Sequence, residues 1–457
     1  MKFCVVTYGC QMNVRDSESA EAILQRQGHC ATAREDEADV LIVNTCSVRG
    51  KAEQKALGKL GLLVKTKRER PGRRVGVMGC MAQRLGDRVF EKVPGLDFAV
   101  GTHRLAVLPA VVERVLQGEG PVAEVGEARE DIESLAVHTP GGISAYVNVL
   151  LGCDRRCTYC IVPRVRGREW SRPVEAVTRE VRALVEGGVR EVTLLGQSVI
   201  SYGRRNAVRD EGATDTSPRG YTEPFPRLLE AVSAIPGLAR LRFTSGHPSG
   251  CTPELARAMA ELDPVCEWLH LPVQSGSDRV LKLMRRGYTT DDFRAAAERL
   301  RAAVPDVSLT TDIIVGFPGE TVEDFERTAA FMDEIAFDNA FIFKYSPRSG
   351  TPAAEWPDDV PDDEKLRRNK VLLADQDRRS QAANEAFVGT RQEVLVEGPS
   401  LRNAARWSGR TRTNRIAVFE PPESVQAGDL VQIAVERARP QTLYGRVAAG
   451  NAAQAAR

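Results

Sequence analysis

The chain has 457 residues, 42% of them hydrophobic and 27% charged, and 63 basic against 62 acidic residues leave a formal net charge of +1. These values exclude a wholly disordered chain, a collagen and a coiled-coil rod, and near-neutrality means that any grip on nucleic acid has to be local. No apolar run reaches the ~20 residues of a membrane-spanning helix, and residues 1–10 carry no basic stretch leading into a long apolar one. The expectation is a cytoplasmic monomer with no membrane partner.

At roughly 150 residues per domain the length suggests about three domains. Residues 1–118 alternate short apolar runs with helical stretches: strands are expected over 3–8, 38–45 and 74–79, with helices over 17–28 and 52–66. Near-continuous apolar strands separated by helices imply a parallel sheet covered on both faces. Residues 119–142 read as a linker, ending in Thr139-Pro140-Gly141-Gly142. Residues 143–375 repeat the alternation, with strands expected over 145–151, 191–195, 240–244, 268–273, 308–315 and 340–345. Such a series implies a partial parallel (βα)6 barrel, an open relative of the eightfold barrel. Residues 202–224, polar and rich in Gly and Pro, read as an insertion. Residues 376–449 follow a charged helical stretch that begins near 362, and read as a small β-barrel with runs over 393–397, 415–419, 430–435 and 442–447; residues 450–457 are a tail. The fold class is therefore α/β with a C-terminal β-module.

Ten cysteines in a chain without a leader point to metal or redox chemistry rather than disulfides. Cys10, Cys46 and Cys80 each follow one of the N-terminal strand candidates. Parallel strands deliver their carboxyl ends to one edge, so these thiols can meet despite their separation; three unrelated buried cysteines are the alternative. Cys153, Cys157 and Cys160 form a tight cluster after the first barrel strand, at the catalytic mouth of such barrels. Three thiolates suit three irons of a [4Fe-4S] cluster and leave the fourth iron open. A structural zinc is the competing reading, but it needs four ligands and no fourth Cys or His lies nearby. Cys4, Cys30, Cys251 and Cys266 share no pattern and read as small buried hydrophobes.

The C-x3-C-x2-C loop after strand one of the barrel resembles that of radical S-adenosylmethionine (SAM) enzymes. Thr7-Tyr8-Gly9-Cys10-Gln11-Met12-Asn13, Asn44-Thr45-Cys46-Ser47-Val48-Arg49 and Gly79-Cys80-Met81-Ala82-Gln83 resemble the N-terminal domain of the methylthiotransferases. The runs 270–278 (HLPVQSGSD) and 312–321 (DIIVGFPGET), and a C-terminal module similar to a TRAM domain, extend the likeness along nearly the whole chain. Within the family the motifs look like the tRNA-modifying MiaB branch. The branches acting on a ribosomal-protein aspartate and on threonylcarbamoyl-adenosine are the competitors.

The resemblance implies two [4Fe-4S] clusters, one on Cys153, Cys157 and Cys160 that binds SAM, and one on Cys10, Cys46 and Cys80 that holds the sulfur to be delivered. It implies SAM as a cofactor, a low-potential electron donor, and a tRNA carrying N6-isopentenyladenosine as the partner that is methylthiolated at carbon 2. Tyr159, Gly196, Gln197, Ser245, Gln274 and Asp312 lie in the cysteine loop or at strand ends and are expected around SAM, each against the alternative of an ordinary structural contact. His247 and His270 read as core residues. Arg402, Arg406, Arg410, Arg412 and Arg415, with Trp407 among them, are expected to grip RNA, with Arg164, Arg166 and Arg168 adding to the footprint. A solvated charged face is the alternative for these arginines, and a non-catalytic RNA-binding protein with a structural metal is the alternative for the whole chain.

Overall fold

The computed structural model describes residues 1–47, 50–126, 136–204, 217–400 and 402–448, the side chain of Lys51 apart. Val48 and Arg49 of the second cysteine motif, residues 127–135 of the expected linker, 205–216 of the expected insertion and the tail lie outside the described residues.

The N-terminal sheet is parallel throughout, with β1 (Lys2–Tyr8), β2 (Cys30–Ala31), β3 (Val40–Thr45), β4 (Arg74–Gly79), β5 (Phe98–Val100) and β6 (Val122–Glu124) in the order β2-β1-β3-β4-β5-β6. Alternate side chains leave a strand on opposite faces. Val40, Ile42, Met78 and Phe98 accordingly pack under α1 (Gln11–Arg26) and α5 (Leu108–Leu116), while Leu41, Val43, Val75, Val77 and Ala99 pack under α2 (Gly50–Lys65), α3 (Cys80–Leu85) and α4 (Arg88–Lys92). The third strand, VLIVNT, is buried along its whole length. Strand β6 falls inside the segment expected to be linker. Its three residues, VAE, are too short for a periodicity, and only pairing with β5 makes them a strand.

The central region is an open arc of parallel strands. β7 (Ser144–Asn148), β10 (Glu191–Leu195) and β11 (Arg240–Phe243) form one sheet; β12 (Trp268–His270), β13 (Ser308–Val315) and β14 (Asn339–Lys344) form the other. A single parallel bridge between Leu241 and Val265 joins them. Between β7 and β10 lie the short antiparallel pair β8 (Leu150–Leu151) and β9 (Trp170–Ser171), with α6 (Val162–Arg166) between them, and then α7 (Val174–Glu186). α8 (Pro224–Ser233), α9 (Pro253–Glu261), α10 (Asp278–Leu283), α11 (Thr290–Ala303) and α12 (Val322–Ile335) complete the set. Val192, Leu194, Leu241, Phe243, Leu269, Leu309 and Ile313 meet Val177, Val181, Leu228, Phe293 and Phe331 of these helices in one continuous core.

The 24-residue α13 (Asp362–Glu385) runs from the barrel to the C-terminal module, across the boundary expected near 376. Its buried stripe is polar except for Leu372, and each polar member is bonded. Lys365 meets Asp358 at 2.5 Å, Arg368 meets Glu320 at 2.6 Å, Gln376 donates to the Phe337 carbonyl and Asn384 to that of Arg439. The module is a closed barrel in the order β15-β16-β17-β19-β18, built from β15 (Arg391–Ser400), β16 (Asn403–Thr411), β17 (Ile416–Glu420), β18 (Leu430–Arg439) and β19 (Thr442–Val447). Closure leaves no unpaired sheet edge.

The β16–β17 hairpin plugs the amino-terminal end of the central arc. Arg242 bonds Glu191 at 2.8 Å and donates to the carbonyls of Thr411 and Arg412. Arg240 donates to Glu393 at 2.9 Å, and Arg412 forks onto Glu267 at 2.7–3.0 Å while also reaching the carbonyls of Asp263 and Val265. Arg415 pairs with Asp338, donates to Asn384 at 2.8 Å and covers the Phe387 ring. Glu191, Arg240, Glu267 and Asp338 all lie at or just before the starts of barrel strands.

A second joint ties the N-terminal sheet to the arc. His138 bridges Glu18 of α1 and Glu180 of α7 at 2.9 and 2.6 Å, and Arg15 and Arg172 close on the same carboxylate. Burial pulls the His138 pKa down, but the two carboxylates outweigh it and hold the ring above its usual value. A raised histidine stabilises below its unfolded pKa of about 6.5, and loses that contribution as pH rises through the folded value. The thermal midpoint of His138→Gln is therefore expected to fall furthest below wild type near pH 6, with the two curves converging towards pH 9. At the other joint, Arg242→Ala strands the buried Glu191 and is expected to cost about 3 kcal/mol in a denaturant titration.

Candidate active site

The topology puts the first three cysteines together. Strand order reverses direction between β1 and β3, and in such sheets ligands lie beyond the carboxyl ends at that switch. Cys10 follows β1, Cys46 follows β3 and Cys80 follows β4, three neighbouring strands. The Cys46 amide donates to the Tyr8 carbonyl at 2.9 Å. Asn13 and Asn44 lock the ends: Asn13 Nδ2 donates to Asn44 Oδ1 at 3.1 Å and to the Thr45 carbonyl, and Asn44 Nδ2 returns a bond to the Asn13 carbonyl at 2.8 Å. Gly79 has φ +93°, and a Cβ there would lie 2.3 Å from Asn44 Oδ1, so the turn into Cys80 needs glycine. Hydrogen bonding to Cys46 brings the Cys10 thiol down to about 6 despite burial, with Arg166 assisting. Burial pushes the Cys80 thiol up, and Arg166 opposes it.

The other three cysteines occupy the loop after β8. Gly152 has φ +76°, and a Cβ there would meet the Arg168 carbonyl at 2.0 Å, so two stretches of backbone touch where the loop begins. The Cys153 amide donates to the Gly167 carbonyl at 3.0 Å, Thr158 donates to the carbonyls of Met284 and Leu283, and its own carbonyl accepts from Ala353. Arg155 reaches Ser201 and Ser249, beyond the ends of β10 and β11. Arg286 is buried and donates to Cys157 Sγ and to Tyr159 Oη, both at 3.3 Å, and to the Pro272 carbonyl. Burial and the Cys157 charge push the Cys160 thiol up to about 12, and burial raises Cys153.

The donor sets suit a cluster. Each set offers three free thiols and no other ligand type. A cubane cluster takes its thiolates one per iron, spaced apart.

Gly196, Gln197, Ser245 and Gln274 follow the carboxyl ends of β10, β11 and β12, and Asp312 lies within β13. Gly196 is buried, and a Cβ there would stand 3.0 Å from Leu150. Next to it, both polar side-chain atoms of Gln197 are buried with no hydrogen-bond partner. Ser245 and Gln274 adopt left-handed backbone with φ +70° and +77°, and Gln274 is 7% exposed. Such strain persists where surrounding structure imposes it, and it clusters at binding sites. Asp312 stands 3.4 Å from His270 Nε2. Tyr159 packs edge-on to Phe317 among Val280, Met284 and Tyr345. His247 bonds Ser249 and lies edge-on to Tyr288; burial, with Arg286 and Arg155, holds it down to about 2, so it stays neutral.

The arginines part company with expectation. Arg412 and Arg415 belong to the joint between module and barrel, and Arg410 is bonded to Glu397 at 3.0 Å and to Asn414. Arg406 faces Glu420 at 3.6 Å, Trp407 is half-buried against the module core, and Arg402 is exposed. Arg164 and Arg168 are exposed, but Arg166 is buried, forked onto Asp16 at 3.1 and 2.6 Å. Residues that sequence reasoning missed are Arg286, the Asn13–Asn44 lock, and Arg437 stacked 4.3 Å over the Tyr444 ring. The lock alone had a signal, an asparagine in each of two cysteine motifs.

Comparison with known proteins agrees with this architecture. The radical SAM superfamily matches residues 147–332, the TRAM domain 385–448, and Uncharacterized protein family UPF0004 residues 2–101. A tRNA-2-methylthio-N(6)-dimethylallyladenosine synthase of Moorella thermoacetica is 46% identical over 98% of this chain and 98% of its own. One of Akkermansia muciniphila is 44% identical over 97% of this chain and 98% of its own. Among solved structures, the radical SAM methyltransferase TsrM from Kitasatospora setae superposes with a TM-score of 0.54 at 14% identity, over 77% of this chain and 75% of that one, a likeness of fold. No helix among the described residues is long and apolar enough to cross a membrane. The chain belongs to the tRNA-2-methylthio-N(6)-dimethylallyladenosine synthase family of radical SAM enzymes, whose cofactors are [4Fe-4S] clusters and SAM.

Proposed function

We propose that this chain methylthiolates carbon 2 of N6-isopentenyladenosine next to the anticodon of tRNA, as a cytoplasmic monomer fed by a low-potential electron donor. Cys153, Cys157 and Cys160 hold the cluster that takes up SAM, and Cys10, Cys46 and Cys80 hold the one that carries sulfur. Held by Cys153, Cys157 and Cys160, the cluster with SAM would supply the radical chemistry that the adenine carbon needs. The observation that supports the reading is that the helix following the Cys153–Cys160 loop packs on the N-terminal set. α6 begins two residues after Cys160, and Ile161 and Val165 pack on Cys80.

The remaining work falls to the chain's own residues. Gln197, with its buried amide unpartnered, accepts from the amino group of SAM and orients it. Tyr159 offers an aromatic wall within an apolar cluster that excludes water. Asp312, part-exposed at 28%, is free to accept a ribose hydroxyl. On the module, the exposed Arg402 and the Arg437–Tyr444 stack carry the RNA contact in place of Arg412 and Arg415.

The direct test is anaerobic. The reconstituted enzyme receives SAM, a reductant, and either isopentenylated tRNA or ribosomal protein, and products are read by mass spectrometry. A methylthio gain on adenosine alone is expected; a gain on the peptide alone would overturn the substrate reading. Cys157→Ala is expected to abolish SAM cleavage. Cys80→Ala is expected to keep SAM cleavage within about twofold of wild type while abolishing sulfur insertion. Arg402→Ala is expected to lower the slope of log affinity against log salt by about 1, as one lost phosphate contact does.

A further inference from the structure

Each cysteine set has one buried arginine beside it, with a half-buried one also near (Arg155 by Cys153 and Cys157, Arg348 by Cys46), and the two buried ones differ in how their charge is met. Arg286, beside Cys157, bonds a thiol, two phenols and a main-chain carbonyl, with no carboxylate among its hydrogen-bond partners in the described residues. Arg166, 7% exposed, is forked onto Asp16, and its neighbour Val165 packs on Cys80. Asp16 comes from α1, the helix that Cys10 begins, and Arg166 ends α6, the helix that follows Cys160. One ion pair therefore spans the two sheets at the second centre.

Net charge and hydrogen bonds at the sulfurs set the reduction potential of an iron-sulfur cluster. An unneutralised buried cation favours an added electron; a cation already answered by a carboxylate favours it much less. We propose that Arg166 and Asp16 are positioning residues that fix the charge at the Cys10–Cys46–Cys80 centre. They keep that centre harder to reduce than Arg166 alone would make it. A low-potential one-electron reductant would then pass its electron to a cluster held beside Arg286 in preference to this one, the donor being oxidised by that one electron. The inference rests on the two-cluster reading above.

Opposite shifts from the two partners separate this role from a merely structural one. The full chain carrying Cys153→Ala, Cys157→Ala and Cys160→Ala, reconstituted with iron and sulfide, leaves the second centre to be observed alone. Its potential is then titrated with dithionite and followed by electron paramagnetic resonance. Asp16→Asn should raise the potential and Arg166→Gln should lower it, each with iron content equal to the parent's. Arg166→Lys, which keeps the charge, should stay near the parent. Shifts in the same direction, or none with the cluster loaded, would overturn the proposal. If Arg166→Gln fails to hold iron, Asp16→Asn decides alone, and an unmoved or lowered potential is the negative result. Wild-type chain holding about four irons rather than about eight would instead remove the two-cluster reading itself.

Discussion

The molecule is organised by one constraint, the parallelism of its strands. A parallel sheet sends every strand-to-helix turn to the same edge, so residues far apart in sequence emerge side by side. In the N-terminal sheet that edge gathers Cys10, Cys46 and Cys80; in the central arc it gathers the cysteine loop, Gln197, Ser245 and Gln274. The contact of Ile161 and Val165 with Cys80 brings the two edges face to face. On the proposed two-cluster reading, few simpler frames would serve, because neither sheet must bend to bring its turns to the other.

The opposite end of the arc is used for assembly. Arginines at Arg240, Arg242, Arg412 and Arg415 and their acidic partners join strand starts to one hairpin of the module. Planar guanidinium groups suit this task, since each can bond a carboxylate and several carbonyls in fixed directions. α13 makes the same choice along its length, with a polar buried stripe in place of an apolar one. Polar joints of this kind specify register more sharply than apolar contact, because a one-turn slip would strand several buried charges.

What the sequence could disclose follows from range. The strands over 74–79, 191–195 and 308–315 coincide with those observed, because an apolar run bounded by turns is a local signal. Cys10, Cys46 and Cys80 each follow such a run, and Cys153, Cys157 and Cys160 share one short loop after another, which is why the sequence alone could propose both sets. Strand β16, with the sequence NAARWSGRT, has no apolar alternation, and its arginines read as a nucleic-acid face. Arg412 and Arg415, just past that strand, read the same way, and their partners, Glu267 and Asp338, lie 145 and 77 residues away, beyond anything a local pattern can carry. Arg286 is hidden for the same reason: within LMRRG nothing distinguishes it from Arg285, and only the fold buries one beside Cys157.

The hairpin that closes the amino-terminal end of the arc has a consequence for how a large substrate is handled. A module on a loose tether could capture RNA first and search for the right orientation afterwards. Here the module is bolted to the strand starts, so its outer face and the mouth of the arc keep a constant separation. The enzyme acts as a caliper of fixed gape. On the proposed function, whatever bending or base extrusion carries the reacting nucleotide from the module's face to the mouth of the arc would have to be supplied by the RNA, and an anticodon arm too stiff to yield would be held without being modified.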